Sequence, residues 1–142
     1  MNGRILAVDP GEKRLGIAVS DVTATIANPL AVIEHVARLI DAAAVAQLAK
    51  EQDAVKIVVG QALDSEGYPG PAARRSARLA EAIRTQTDLP IEFWDESDST
   101  RSAQAARVAM GVPRSKRKGH MDDLAAVVIL QSYLDANIGT SK

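Results

Sequence analysis

The sequence predicts an α/β layered domain built on a mixed β-sheet, and two observations carry that prediction. Three strand-like runs come first, and a helix–strand–helix–strand–helix alternation follows them. The apolar stock is Ala, Val, Leu and Ile, with aromatics only 3% of the chain, which suits strands covered by helices.

Gly3 to Val8 reads as a buried strand stopped by the turn signal Asp9-Pro10-Gly11. From Arg14 to Asp21, Leu15, Ile17 and Val19 alternate with Gly16, Ala18 and Ser20, a period of two that marks a second strand. The few residues between these runs argue for a hairpin. A third short strand is expected within Leu30 to Val36. Arg38 to Gln52 carries Leu39, Ile40, Ala43, Ala44, Ala46, Gln47 and Leu48 at helical spacing, and Ala54 to Val59 reads as a central buried strand. After a glycine-containing loop from Gly60 to Gly70, Pro71 can start a helix at its first position. That helix turns Leu79, Ala80, Ala82 and Ile83 inward and Arg74, Arg75, Arg78 and Arg84 mostly outward. Pro90 to Trp94 is the last strand. A short helix is expected from about Thr100 to Ala109, with Ser99 as cap, then a basic loop from Gly111 to His120 and a closing apolar helix from Met121 to Asp135.

The bulk properties narrow the function classes. A chain of 142 residues fits one domain, expected over 1–138 with 139–142 a frayed tail. Cysteine is absent, which removes disulfides, thiolate metal sites and cysteine nucleophiles together. The N-terminus shows no secretion-signal pattern and no apolar stretch reaches the roughly 18 residues of a membrane span, so a cytoplasmic protein without membrane association is expected. The formal net charge of −1 does not advertise nucleic-acid binding, but binding depends on local patches, and a metal site needs acids of its own.

In an open sheet of this kind chemistry collects at the carboxyl ends of the strands. Asp9 stands at one such end, where it is either a turn-forming aspartate accepting backbone N–H groups or a functional carboxylate. Asp95-Glu96 has the same placement, with a helix N-terminal acidic pair as the plain alternative. Asp122 and Asp123 open the last helix, where acids are expected on dipole grounds. Asp122, however, shares a helical stripe with Ala126, Ile129 and Tyr133 that should face the sheet. A carboxylate aimed at a sheet needs a partner, and a cation is one solution. Three carboxylates from these distant parts of the chain, Asp9, one of Asp95-Glu96 and one at the start of the last helix, would make a hard oxygen cage for Mg²⁺ or Mn²⁺. Two ions about 4 Å apart suit phosphodiester hydrolysis.

Lys13 and Arg14 beside Asp9, and Arg114, Lys116, Arg117 and Lys118 before Asp122, read as phosphate contacts or as solvated loops. Arg74, Arg75 and Arg78 either extend that track or simply line an exposed helix face. His120 reads as a polar loop residue with a possible phosphate contact, and His35 as structural. Neither Ser20 nor Ser99 has a convincing histidine partner for a triad, and Gly60 to Gly67 lacks the ending of a P-loop.

Several motifs together resemble the YqgF/RuvX family of pre-16S rRNA nucleases, also described as Holliday junction resolvase homologues. They are Leu6-Ala7-Val8-Asp9-Pro10-Gly11-Glu12-Lys13-Arg14-Leu15-Gly16-Ile17-Ala18-Val19-Ser20-Asp21, then Ile57-Val58-Val59-Gly60 and Asp64-Ser65-Glu66-Gly67. Asp95-Glu96 with Ser99-Thr100 and Ala103 follows, then Lys118-Gly119-His120-Met121-Asp122 and Ala125 to Leu130. The resemblance implies an RNase H-like fold, a mixed five-stranded sheet with helices on both faces. It also implies a catalytic, metal-binding trio at Asp9, Glu96 and Asp122, favouring Asp122 over Asp123. Its implied substrates are pre-16S rRNA, cut in 5′-end processing within ribosomal precursor particles, or branched DNA. Two positions depart from the family pattern: Gln61-Ala62 stands where Leu-Pro is usual, and Ser97 where Arg is usual. Both a monomer and a homodimer are compatible with the sequence. The rival classes are a nucleotide-binding relative of the actin-like ATPases, which would need a duplicated domain, and a non-catalytic RNA-binding assembly factor.

Overall fold

The computed structural model describes residues 3–61, 70–95 and 121–138. Its elements run β1 (Arg4–Pro10), β2 (Arg14–Ser20), β3 (Ala27–Glu34), α1 (Arg38–Glu51), β4 (Ala54–Gln61), α2 (Pro71–Arg84), β5 (Ile91–Asp95) and α3 (Met121–Ile138). The expected helix at 100–109 and the basic loop at 111–120 lie outside the described residues. No described helix is long and apolar enough to cross a membrane.

The sheet order is β3-β2-β1-β4-β5. Both β1–β2 and β2–β3 are antiparallel, while β1–β4 and β4–β5 are parallel. The mixed sheet therefore follows from the chain: hairpin-length connections give the antiparallel half, and helical crossovers give the parallel half. Alternation of side chains divides the interior into two layers. Leu6, Val8, Leu15, Ile17, Val19, Ile57 and Val59 pack against Ala42, Val45 and Ala49 of α1 and Leu79, Ala80 and Ile83 of α2. Ile5, Ala7, Ala18 and Val58 face the other way, against Ala126, Ile129, Leu130, Tyr133 and Leu134 of α3. Burying each large aliphatic contributes about 1.5–3 kcal/mol, so both faces of the central strand stabilise the fold.

Several details differ from the sequence reading. β1 runs on through Asp9 and Pro10, because Asp9 still pairs with Gly16 and Pro10 with Leu15. β3 begins at Ala27 and so contains Pro29, which a strand tolerates at a sheet edge; the register shifts nearby, between Ile17 and Ala18. β5 starts and ends one residue later than expected. In α1 the buried stripe is Asp41, Ala42, Val45 and Ala49, whereas Leu39 and Ile40 are exposed. Asp41 tolerates burial because its carboxylate is engaged on both oxygens, by the Val36 N–H at 3.0 Å and by His35 Nδ1.

Two polar devices hold the ends of the sheet. Asp21 accepts from Thr23 Oγ1 at 2.5 Å and from the Thr25 and Ile26 N–H groups at 2.8 and 3.1 Å. These bonds, the Thr23 hydroxyl foremost, hold its carboxyl down at about 2. Gln131 of α3 accepts from Ala27 N–H at 2.9 Å and donates to Thr25 O at 3.0 Å, docking the helix on the start of β3.

The β1–β2 turn is closed by Gly11 N–H donating to Arg14 O at 2.9 Å. A Cβ on Gly11 would lie 2.4 Å from that same carbonyl oxygen, so the turn cannot hold a side chain there without moving backbone. Gly11→Ala is expected to cost about 1–3 kcal/mol, as overpacking does. A urea titration checks this, with a midpoint shift at constant slope expected.

Candidate active site at the carboxyl ends of the parallel strands

β1, β4 and β5 run parallel, so their carboxyl ends share one edge of the sheet. Asp9 is the penultimate residue of β1, the central strand. By alternation it belongs to the face of Ile5 and Ala7, the face that α3 covers. It is half-buried there. The turn beside it is closed by the backbone bond from Gly11 N–H to Arg14 O.

Its neighbours on that face are informative. On one side, Gly16 of β2 is the direct partner of Asp9. On the other, Gly60 of β4 follows Val59, the partner level of Val8, and shares the face of Val58. Both glycines are buried. Asp9 therefore stands between two positions that carry no side chain, where cross-strand neighbours would otherwise lie about 5 Å away. A glycine inside a strand commonly marks a close approach of another group, and Gly16 and Gly60 are the two positions beside Asp9 where no side chain stands in the way of one.

Trp94 of β5 pairs with Gly60 and also packs on the α3 side, its indole N–H donating to Ser132 Oγ at 3.1 Å. The end of β5 lies two strands from Asp9, about 10 Å across the sheet. Arg14 shares the parity of Gly16 and Ala18, so it opens β2 on the same face as Asp9, exposed. Lys13 is an exposed residue of the turn, and its carbonyl accepts from the His35 N–H at 2.8 Å. The fold thus brings Asp9 and Arg14 to one face and sets Lys13 beside them. Glu96, Arg114, Lys116, Arg117 and Lys118 lie outside the described residues. Asp122 is the second residue of α3, and its side chain also lies outside them. Among the described residues no three acids or histidines form a metal-sized group.

A five-stranded mixed sheet in this order, covered by helices on both faces and carrying an acid at the end of its central strand, defines an RNase H-like protein. Comparison with solved structures agrees on the fold. T. thermophilus RuvC in complex with a Holliday junction substrate matches with a TM-score of 0.64 at 18% identity, over 99% of this chain and 98% of that one. The fowlpox virus resolvase in complex with Holliday junction DNA matches with a TM-score of 0.57 at 14% identity, over 94% and 97%. Among curated proteins, one of Clostridioides difficile (strain 630) named "Putative pre-16S rRNA nuclease" is 36% identical over 140 residues, 99% of each chain. One of the same name from Mesorhizobium japonicum is 37% identical over 135 residues, 94% of this chain and 81% of its own. The family model described as "RuvX: Holliday junction resolvase" matches residues 3–136. The chain belongs to the RuvX family.

Proposed function

We propose that this protein is a divalent-metal-dependent nuclease that hydrolyses phosphodiester bonds in structured RNA, its substrate the 5′ end of pre-16S rRNA. The observation that carries the reading is Asp9, set on the α3 face at the carboxyl end of the central strand between two glycines. The names of the full-length relatives support the choice of substrate. Branched DNA is the second reading, favoured by the description of the family model.

Asp9 would act with Glu96 and Asp122. In sequence, Glu96 has the parity of Glu92 and Trp94, which meet α3 through Tyr133, and Asp122 the helical phase of Ala126, Ile129 and Tyr133. An all-carboxylate donor set fits Mg²⁺ or Mn²⁺ rather than a softer metal. The bound ions would supply charge neutralisation at the scissile phosphate and a nucleophile at neutral pH. The chain's own part is positional. Asp9 anchors the set from the most rigid strand, Gly16 and Gly60 leave room for the backbone to approach, and Lys13, Arg14 and the basic residues Arg114, Lys116, Arg117 and Lys118 hold flanking phosphates. The work would be done in the cytoplasm, on ribosomal precursor particles.

The test is incubation of the purified protein with a 5′-extended 16S precursor and, separately, a four-way DNA junction, in Mg²⁺, in Mn²⁺ and in EDTA, with product ends mapped. Cleavage of the RNA in either metal and none in EDTA is expected. Metal-independent cleavage, or RNA binding with no cleavage of either substrate, would refute the reading.

A further inference from the structure

On the opposite side of the sheet from Asp9 lies a cleft of about 470 Å³ that the catalytic reading does not use. Its floor is apolar, made by Pro10, Leu15 and Leu79, and its rim carries Arg38, Arg74, Arg75 and Arg78. The β1–β2 turn is the ridge between the two sites. Asp9 takes the α3 face, while Pro10, with the parity of Leu6 and Val8, takes the face of α1 and α2.

Among the described residues that line this cleft, two acids face four arginines. Asp41 is committed on both oxygens to His35 and the Val36 N–H, and Glu12, 80% exposed, meets Arg75 only at 3.4 Å. Arg38 stands where a helix least favours a cation, as the first residue of α1, while Arg74 and Arg75 follow directly on the first turn of α2, which holds no acid. Neither helix has a side-chain cap on its N-terminus, and both N-termini open on the cleft through Ala37 and Pro71. Cations at a positive helix end repel it, and an anion bound between them attracts both and offsets that repulsion. In a chain of net charge −1, such a concentration calls for an external anion.

We propose that this cleft seats the phosphodiester backbone of a nucleic acid, on the sheet face away from Asp9. The arginines of α2 form a row, with Arg74 and Arg78 one helical turn apart, which suits successive phosphates of a strand better than one small anion. Among the described residues the lining offers aliphatic floor and no aromatic ring for stacking a base, which favours a backbone over a mononucleotide. A nucleic acid lying across the turn would then touch the protein on both sides of the strand that carries Asp9. The choice of nucleic acid as the polyanion rests on the nuclease reading.

The test is fluorescence anisotropy with a labelled RNA hairpin and a labelled four-way DNA junction, across a salt series in EDTA, using the full chain. Arg74→Ala/Arg78→Ala, at two exposed helix positions, is expected to weaken binding about tenfold or more and to flatten the salt slope by about 1.8, the share of two phosphate contacts. Arg74→Lys/Arg78→Lys should keep most of the affinity, and Glu12→Gln should tighten binding. Unchanged affinity and slope in the double alanine variant would overturn the proposal. So would displacement of the RNA by ATP as effectively as by unlabelled RNA, which would mark a nucleotide pocket instead. Binding is read here without turnover, so such a failure leaves cleavage at Asp9 standing. A wild type that binds through the arginines yet never cleaves would sink the nuclease reading alone.

Discussion

Asp9→Asn is expected to lower metal-dependent cleavage of the 16S precursor by about a thousandfold or more, while the protein folds and binds RNA as the wild type does. The substitution keeps shape and removes one negative charge. If that charge holds ions worth several kcal/mol to the reaction, losing about 4 kcal/mol removes three powers of ten in rate. Stability should barely change, because Asp9 lies at the end of β1 rather than within the packed layer, where Leu6 and Val8 are fully buried. Asp95→Asn is the matched control. Asp95 is an equally terminal acid, but Ile91 and Phe93 place its parity on the face of α1 and α2, so most activity should survive. Single-turnover cleavage, with thermal melts alongside, reads both variants. A well-folded Asp9→Asn protein of full activity would remove the site from this corner.

The contrast between these two acids shows what the sequence could and could not convey. Period-two alternation in residues 14–21 and the Pro71 helix start were legible because each rests on local chemistry, and the sheet bears them out. The position of Asp9 at a strand end was legible too. Its face was not, because parity has meaning only once the covering helices are placed. Two other misreadings have the same origin. In α1, alanines at 42, 43, 44, 46 and 49 make the helix apolar on several sides, so spacing alone does not fix its phase; burial of Asp41, made tolerable by His35, settles it. β3 starts at Ala27 rather than Leu30, taking in Pro29, which only its place at the sheet edge makes tolerable. The arginine cleft could have been suspected from Arg38 at the start of α1 and from Arg74, Arg75 and Arg78 running on from an acid-free first turn of α2. Its concavity needed the tertiary structure.

The other large effect expected is structural. Tyr133→Ala should destabilise the protein by about 3–5 kcal/mol, the usual result of emptying a buried aromatic site. Tyr133 is 1% exposed and packs edge-on against Trp94, with ring centroids 5.3 Å apart. Its hydroxyl accepts from Lys56 Nζ at 2.8 Å and donates to Glu92 Oε1 at 3.0 Å, so one side chain joins α3 to β4 and β5. Tyr133→Phe separates the two contributions. It keeps the ring and leaves Lys56 and Glu92 paired at 3.1 Å, so about 1 kcal/mol is expected from the lost hydroxyl. The pH dependence has a definite sign. Burial raises the Tyr133 hydroxyl above its usual 10.0, and the bond to Tyr133 raises Lys56 above its usual 10.5. Both contributions are fully present at lower pH and are lost as pH rises through the raised values. The wild type should therefore lose stability in alkali, and Tyr133→Phe should lose less of it, as urea melts at neutral and alkaline pH would show. Tyr133 also lies eleven residues beyond Asp122, about 16 Å along α3. Tyr133→Phe should then keep its cleavage rate at temperatures where it remains folded. A rate that fell with the hydroxyl instead would mean that this end of α3 sets the geometry of the other.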